Sequence, residues 1–237
     1  MGDNNPAPVQ KNYAPTAILD FDSPNVKEVL ARLHASPAPK GQIPALHNYI
    51  SASMTAVYSI ADTRAASETF RLNQGSCAQR MICLEALARG LGVATRVRAL
   101  WLDKSFWYSR LPLLRNHLPQ KTLMPWPQFN IGSVWTDFDE IYAPLPELAA
   151  HPAYDHPFTN AGESLFDAVR HIPVDLLGKL KNSSYAKYDI ARFVVEDGGF
   201  FDTRDELYQM VGEQNSWLGS IVFNLLYGSR PIHRDTD

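Results

Sequence analysis

The segment that most constrains the fold is residues 75–101, GSCAQRMICLEALARGLGVATRVRALW. Its apolar residues recur at three- and four-residue steps, as in Met81, Leu84, Leu87 and Ala88. This spacing predicts a helix from Cys77 to Gly90, because such steps place side chains on one helix face. Residues 93–102 alternate in polarity and contain two valines and a tryptophan, which predicts a strand. The chain is therefore expected to contain a helix joined by a glycine-containing turn to a strand.

Cys77 is predicted to start this helix, where unpaired N–H groups and the helix dipole favour a thiolate. Because the thiolate is the nucleophilic form of cysteine, Cys77 is a candidate nucleophile. Gly75 has no Cβ and would let a substrate backbone approach, and the N–H of Cys77 could contribute to an oxyanion hole. The alternative is that Cys77 packs as a small apolar side chain, as we predict for Cys83 inside the helix.

The same segment resembles the core signature of the transglutaminase-like superfamily. There, a glycine precedes a nucleophilic cysteine at a helix start, the helix ends near Ala-Arg-x-x-Gly, and a strand follows as Val-x-x-Arg-Val. The matching residues are Gly75, Cys77, Leu84, Leu87, Ala88, Arg89, Gly92, Val93 and Arg96. The resemblance spans about residues 65–145. It implies an α+β fold with a transglutaminase-like or papain-like core, in which the nucleophile helix packs on an antiparallel sheet built from segments near 93–102, 126–131 and 134–142.

The resemblance also implies two partners for the cysteine, a histidine in a His-x-Trp motif and an aspartate beyond a second tryptophan. The segment WTDFDEIY supplies Trp135 and Asp139 at the expected spacing, so Asp139 is the implied third member of a triad. Asp137, two residues away, is a weaker candidate for the same role in the triad. Aligning Trp126 of LMPWPQF with the motif places Met124 where the histidine belongs, and a thioether cannot take the thiol proton.

Three interpretations of the missing histidine remain open. His117, in LLRNHLPQK, is the nearest candidate in sequence and could reach the site from a loop; its alternative role is that of a solvated loop residue. The thiolate could instead be supported by the helix dipole alone. The third interpretation is a degenerate site whose fold is retained for binding.

Substrate-binding candidates surround these positions. Gln128 lies where many relatives carry a glutamate, and could donate to a carbonyl or simply face solvent. Six aromatic residues fall nearby in the sequence: Trp101, Phe106, Trp107, Tyr108, Trp126 and Phe129. Aromatic residues usually pack in cores, yet Trp107 and Trp126 could also line an apolar pocket for an acyl group.

Charge and motif content exclude several classes of function. The net charge of −3 and the pI near 6.2 argue against nucleic acid as a partner. No apolar stretch is long enough for a membrane span, and the first residues lack the apolar run of a secretion signal. Both cysteines are expected to be free thiols, which fits a cytoplasmic location. No metal-binding spacing or glycine-rich nucleotide loop occurs, so no metal or cofactor is predicted.

The expected organisation is a flexible arm, residues 1–16, followed by one domain, residues 17–237. Its core is predicted at about 65–145, and its C-terminal part, about 160–230, is predicted to be a helical extension.

The resulting functional hypothesis is a cysteine-dependent acyl-transfer enzyme. Cys77 would attack an amide or thioester carbonyl, and water or an amine would resolve the acyl-enzyme. The expected substrate is a small molecule or peptide acyl donor, with a carrier-bound thioester as one candidate and natural-product biosynthesis as one setting. Two alternatives remain: a non-catalytic binding module with an aromatic-lined groove, and a cyclising enzyme in which Cys77 acts as an acid.

Overall fold

The computed structural model describes residues 10–34, 42–59, 61–154 and 156–212. The helices are α1 (Pro24–His34), α2 (Gln42–Ser53), α3 (Ala66–Leu72), α4 (Cys77–Gly90), α5 (Leu145–Ala150), α6 (Leu165–Ala168) and α7 (Arg204–Val211). The strands are β1 (Thr55–Ala56), β2 (Gln74–Gly75), β3 (Thr95–Asp103), β4 (Lys121–Ile131), β5 (Val134–Asp137) and β6 (Val194–Phe201).

Four strands form an antiparallel sheet in the order β5-β4-β3-β6. β3 and β4 pair along most of their length, with Leu100 opposite Met124 and Arg98 opposite Trp126. α4 packs against β3 and β4. The predicted α+β fold class, with the Cys77 helix on an antiparallel sheet, is confirmed.

Two parts of the sheet differ from the sequence prediction. β4 begins at Lys121, whereas the sequence predicted this strand only near residues 126–131. β5 pairs with β4 only from Gln128 onward, so Pro125 and Pro127 lie where one edge of β4 is open and a missing N–H costs little. β6 was not predicted as a strand, because most of its residues are exposed and its sequence does not alternate between apolar and polar residues.

Helix α4 forms the centre of the core, because every residue from Gln79 to Arg89 is buried. The predicted core position of Cys83 is confirmed, since this residue has no exposed surface. A helix enclosed on all sides is expected to show little amphipathic pattern, and α4 carries charged residues on several faces.

The buried charged residues Glu85 and Arg89 of α4 both have hydrogen-bond partners, as the cost of burying an unsatisfied charge requires. Glu85 accepts a hydrogen bond from Arg204 at the start of α7 over 2.7 Å. Arg89 donates to Thr95 Oγ1 over 2.7 Å and to the carbonyl of Asp202 over 2.6 Å. These contacts attach the C-terminal elements to the central helix.

The predicted flexible arm differs from the structure over its described part, residues 10–16. The Arg89 guanidinium donates to the carbonyls of Lys11 and Ala14 over 2.9 and 2.8 Å, and the N–H of Thr95 donates to the carbonyl of Asn12 over 3.0 Å. These residues are packed against the domain. Outside the described residues lie positions 1–9 of the predicted arm and positions 213–237, which include the last part of the predicted C-terminal extension.

Between residues 160 and 212, the expected helical extension contains the short helices α6 and α7, but also strand β6. In the described ranges, none of the helices combines the length and apolar character that crossing a bilayer demands.

Candidate active site

A capping box fixes Cys77 as the first residue of α4. Ser76 is the N-cap, and its hydroxyl accepts from the N–H of Gln79 over 3.3 Å. In return, the Gln79 side-chain oxygen accepts from the N–H of Ser76 over 2.9 Å. Gln79 also donates to Ser59 Oγ over 3.0 Å and to the carbonyl of Ala61 over 2.9 Å. The start of the helix, and with it the position of Cys77, is therefore held from both sides.

Cys77 lies in the wall of a cavity of about 270 Å³. This volume is near the lower end of the ~300–1,000 Å³ typical of small-molecule sites. The wall is mostly apolar and includes Val57, Phe106, Leu111, Leu114, Leu123 and Pro125. A small amphipathic or apolar ligand fits such a lining better than a polar one.

The cavity brings together three of the residues singled out from the sequence: Cys77, His117 and Trp107. His117 is exposed and lies on the segment that joins β3 to β4. The Trp107 indole donates to Thr122 Oγ1 over 2.8 Å, which holds its ring in the wall. Met124 also lines the cavity. The strand position at which the superfamily histidine is expected therefore faces the same space as Cys77.

The other sequence candidates do not line this cavity. Asp139 is buried in a 3₁₀ turn, Phe138–Glu140, and neither of its carboxylate oxygens has a hydrogen-bond partner in the described part of the chain. It therefore does not orient His117 in this structure. Gln128 accepts from Arg96 Nε over 2.7 Å and donates to Asp137 Oδ1 over 2.6 Å, so its side chain is occupied within the protein.

Trp126 and Gly75 have structural explanations of their own. Trp126 has no exposed surface and packs edge-on against Phe138, with ring centroids 5.3 Å apart. Gly75 lies in β2, and a Cβ there would come within 3.0 Å of Thr69 Cγ2. Internal packing therefore favours glycine at this position, without any contact to a substrate.

Burial controls the protonation of Cys77. It raises the pKa of the Cys77 thiol to about 12, although the nearby Arg80 and Arg110 guanidinium groups act in the opposite direction. The charge of Asp167 adds to the increase. The sequence-based expectation was a pKa lowered by the helix N-terminus. Here burial outweighs that effect, and the thiol is neutral when the cavity holds no ligand.

Burial also raises the pKa of Asp139 well above its usual value, although the ammonium group of Lys179 opposes this. Lys179 donates to Asp137 Oδ2 over 2.7 Å and to Glu140 Oε2 over 2.5 Å. The lysine is thus shared with two other carboxylates, and it makes no hydrogen bond with Asp139 in the residues described.

The sequence analysis missed Arg110, a buried residue in the cavity wall. Its Nε donates to Asn160 Oδ1 over 2.9 Å, and its Nη2 donates to the carbonyls of Gly162, over 3.3 Å, and Glu163. Nη1 has no acceptor within the described ranges. Arg110 stands in an irregular aromatic stretch, where no periodicity or motif distinguishes it from the neighbouring Arg115.

The buried His47 was also missed, and it lies outside the cavity. Burial lowers its pKa to about 4, so the imidazole is neutral. One ring nitrogen donates to the carbonyl of Phe166 over 2.5 Å, and the other lies within hydrogen-bond distance, 2.8 Å, of the Tyr142 hydroxyl oxygen. With both nitrogens occupied, His47 serves the core and is not a base for Cys77.

Comparisons with known proteins give a distant structural likeness and no family match. Neither the scan against protein-family models nor the search of curated proteins finds a match. Among solved structures, the crystal structure of a "putative cysteine protease" from Cytophaga hutchinsonii aligns with a TM-score of 0.40 and 15% identity. The alignment covers 53% of this chain and 39% of that chain, so it spans about two fifths of the neighbour's length.

Proposed function

We propose that this protein is a cysteine-dependent acyl-transfer enzyme in which Cys77 is the nucleophile. The observation that supports this most directly is the position of Cys77 at the start of α4, in the wall of an apolar cavity that His117 also lines. Helix N–H groups near the sulfur can stabilise the negative charge that develops during attack on a carbonyl. The apolar wall can hold the acyl group.

The proposed reaction starts from the neutral thiol. As the Cys77 sulfur forms a bond to the substrate carbonyl carbon, its proton passes to a ring nitrogen of His117. The C–N bond of an amide, or the C–S bond of a thioester, then breaks, and the imidazolium returns the proton to the leaving group. Water or an amine attacks the acyl-enzyme and releases Cys77. Cys77 and His117 supply the chemistry of each step, and no cofactor is required.

Formation of the acyl-enzyme tests this proposal. On incubation with the octanoyl thioester of N-acetylcysteamine, intact-protein mass spectrometry should detect one octanoyl adduct, and peptide mapping should place it on Cys77. Cys83→Ala is the matched control and should acylate like the wild type, because Cys83 is buried in the core. His117→Ala should acylate about 100-fold more slowly, which is the lower end of general-base effects. An adduct that persists in Cys77→Ala would contradict the proposal.

The alkylation rate of the thiol provides an independent prediction. In the Cys83→Ala protein, labelling of Cys77 by iodoacetamide should be slow at neutral pH and should still be rising at pH 10. The reason is that burial raises the thiol pKa to about 12, whereas an unperturbed thiol titrates near ~8.5. A labelling rate that reaches its plateau below pH 8 would show instead that the helix N-terminus outweighs burial.

A binding module is the second candidate function, and two observations favour it. Met124 lines the cavity at the position expected for the histidine, and the Cys77 thiol is neutral. Such a protein would bind an apolar ligand in the same cavity without forming a covalent adduct. Reversible binding of octanoyl compounds, together with no acylation over many hours, would favour this candidate over the enzyme.

A further inference from the structure

The Arg110 guanidinium lies in the cavity wall, and none of the described residues supplies a carboxylate partner for it. The acceptors that hold Nε and Nη2 are an amide oxygen, from Asn160, and two backbone carbonyls. In the region described by the structure, Arg110 makes no ion pair, and Nη1 has no hydrogen-bond acceptor. The Tyr58 ring lies 6.0 Å from the guanidinium carbon, at the limit of a cation–π contact, and offers no charge to balance it.

This arrangement is costly in the absence of a ligand. Arg110 is only 8% exposed, so water does little to solvate its charge. A buried, unpaired donor loses its hydrogen bonds to water without replacement, and the loss is greater when the donor is charged. Most buried polar groups in proteins do have partners, so the unpartnered Nη1 of a residue that lines the cavity points to a ligand acceptor.

Arg110 is also held in place by the fold. Asn160 adopts a left-handed backbone conformation, with φ of 55°, and its side-chain nitrogen donates to the carbonyl of Phe106 over 2.8 Å. Phe106 itself forms part of the apolar wall. The side chain that positions the guanidinium is therefore attached to the same wall that would contact the apolar part of a ligand.

We infer that the cavity binds acyl compounds that carry a carboxylate, with the carboxylate on Arg110 and the hydrocarbon part along the wall formed by Phe106, Leu111 and Leu114. Guanidinium and carboxylate groups form the strongest class of hydrogen bond between side chain and ligand. The description of such compounds as substrates rests on the proposed function. The binding itself does not, because Arg110 and the apolar wall act without Cys77.

The test compares three ligands of equal chain length: octanoate, octan-1-ol and octylammonium. Isothermal titration calorimetry is carried out on the full chain with Cys77→Ala, so that no covalent step contributes. Octanoate should bind about 10- to 100-fold more tightly than octan-1-ol, the range expected for a hydrogen bond to a charged group. Octylammonium should bind more weakly than both, because its charge is repelled by Arg110.

Variants assign the preference to one side chain. Arg110→Met should lower the octanoate affinity to that of octan-1-ol while leaving the octan-1-ol affinity within about 3-fold. Arg115→Met is the matched control and should keep the preference, because Arg115 is exposed on the same segment and outside the cavity wall. Arg110→Lys retains the positive charge and should still prefer octanoate, so it preserves the test if Arg110→Met does not fold.

The inference is overturned if the protein with intact Arg110 binds octanoate and octan-1-ol equally, or binds neither. A preference for octanoate that survives in Arg110→Met would also overturn it. These results are separable from the acyl-enzyme experiment, which uses an uncharged donor. A preference for octanoate without acylation supports the inference and contradicts the enzyme proposal. Acylation without a preference for octanoate supports the enzyme proposal and contradicts the inference.

Discussion

Replacing Arg80 by Met is expected to lower the free energy of unfolding by about 3–5 kcal/mol, the usual cost of breaking a buried ion pair from one side. Arg80 has no exposed surface. Both of its terminal nitrogens donate to the Asp167 carboxylate, one of them over 2.7 Å, and its guanidinium carbon lies 4.3 Å from the centroid of the Phe166 ring. Removing the arginine would leave the Asp167 charge buried without a counter-charge.

The pH dependence of this effect has a defined sign. Burial alone would raise the pKa of Asp167, but hydrogen bonds and charge from Arg80, with hydrogen bonds from Ser164 and Ser51, hold it well below its usual value. The pair therefore stabilises the fold fully above the unfolded pKa of about 3.9, and this contribution is lost as the pH falls through the folded pKa. In Arg80→Met, burial raises the Asp167 pKa and the arginine no longer opposes it. The loss in the free energy of unfolding relative to the wild type should therefore shrink as the pH falls toward 4.

Urea denaturation at pH 7 and pH 4.5 measures both effects. Arg71→Met is the matched control: Arg71 pairs with Glu68 over 2.7 Å on the surface, and its loss should cost less than about 1 kcal/mol. The double variant Arg80→Met/Asp167→Leu should recover part of the loss, because no unpaired charge remains. If Arg80→Met cost no more than Arg71→Met, Asp167 would have another partner and the pair would not support the fold.

Replacing Asp139 by Leu is expected to have the opposite effect and to raise the free energy of unfolding at pH 7 by about 1–3 kcal/mol. Asp139 is 1% exposed, and neither carboxylate oxygen has a hydrogen-bond partner among the residues that the structure describes. Burial raises its pKa, so ionisation at neutral pH opposes folding. An apolar side chain of similar shape would remove this cost.

The sign of the pH effect follows from the raised pKa. The folded state binds the proton more tightly than the unfolded state, so Asp139 destabilises the fold as the pH rises through its folded pKa. The gain in Asp139→Leu should therefore be largest at neutral pH and smaller near pH 4, where only the cost of burying an unpartnered neutral carboxyl remains. Thermal unfolding of the two proteins between pH 4 and pH 8 provides the measurement.

Asp137→Leu is the matched control for Asp139→Leu. The Asp137 carboxylate accepts from Gln128 over 2.6 Å and from Lys179 over 2.7 Å, so its removal should destabilise the protein. If Asp139→Leu raises the free energy of unfolding and Asp137→Leu lowers it, Asp139 lacks the kind of partner that Asp137 has. If Asp139→Leu were as destabilising as Asp137→Leu, the Asp139 carboxylate would instead be held by a favourable contact, as a catalytic aspartate is.

Local elements were predictable because their signals lie in neighbouring residues. The steps between Met81, Leu84 and Leu87 predicted α4, and the alternation after Gly92 predicted β3. The start of α4 was also placed correctly, since helix starts depend on side chains within a few positions; Ser76 and Gln79 form such a capping box.

The candidate site was only partly predictable. Cys77 and His117 do line one cavity, and Met124 faces it from β4. Arg110 was missed because its importance depends on what surrounds it, and the partner Asn160 lies far along the chain. The start of β4 at Lys121 was not predicted, because this strand contains Pro125 and Pro127, which are tolerated only where the strand edge has no neighbour.

What the sequence by itself determined is therefore the position of the candidate nucleophile: a cysteine at the start of a helix that leads into a strand. What only the tertiary structure decided is the chemistry of that group. Burial favours the neutral form of the Cys77 thiol, and the fold brings into the same cavity an arginine that makes no ion pair within the described residues. The reason is physical. Periodicity and capping act over a few residues, whereas desolvation and charge pairing depend on residues brought together from distant parts of the chain.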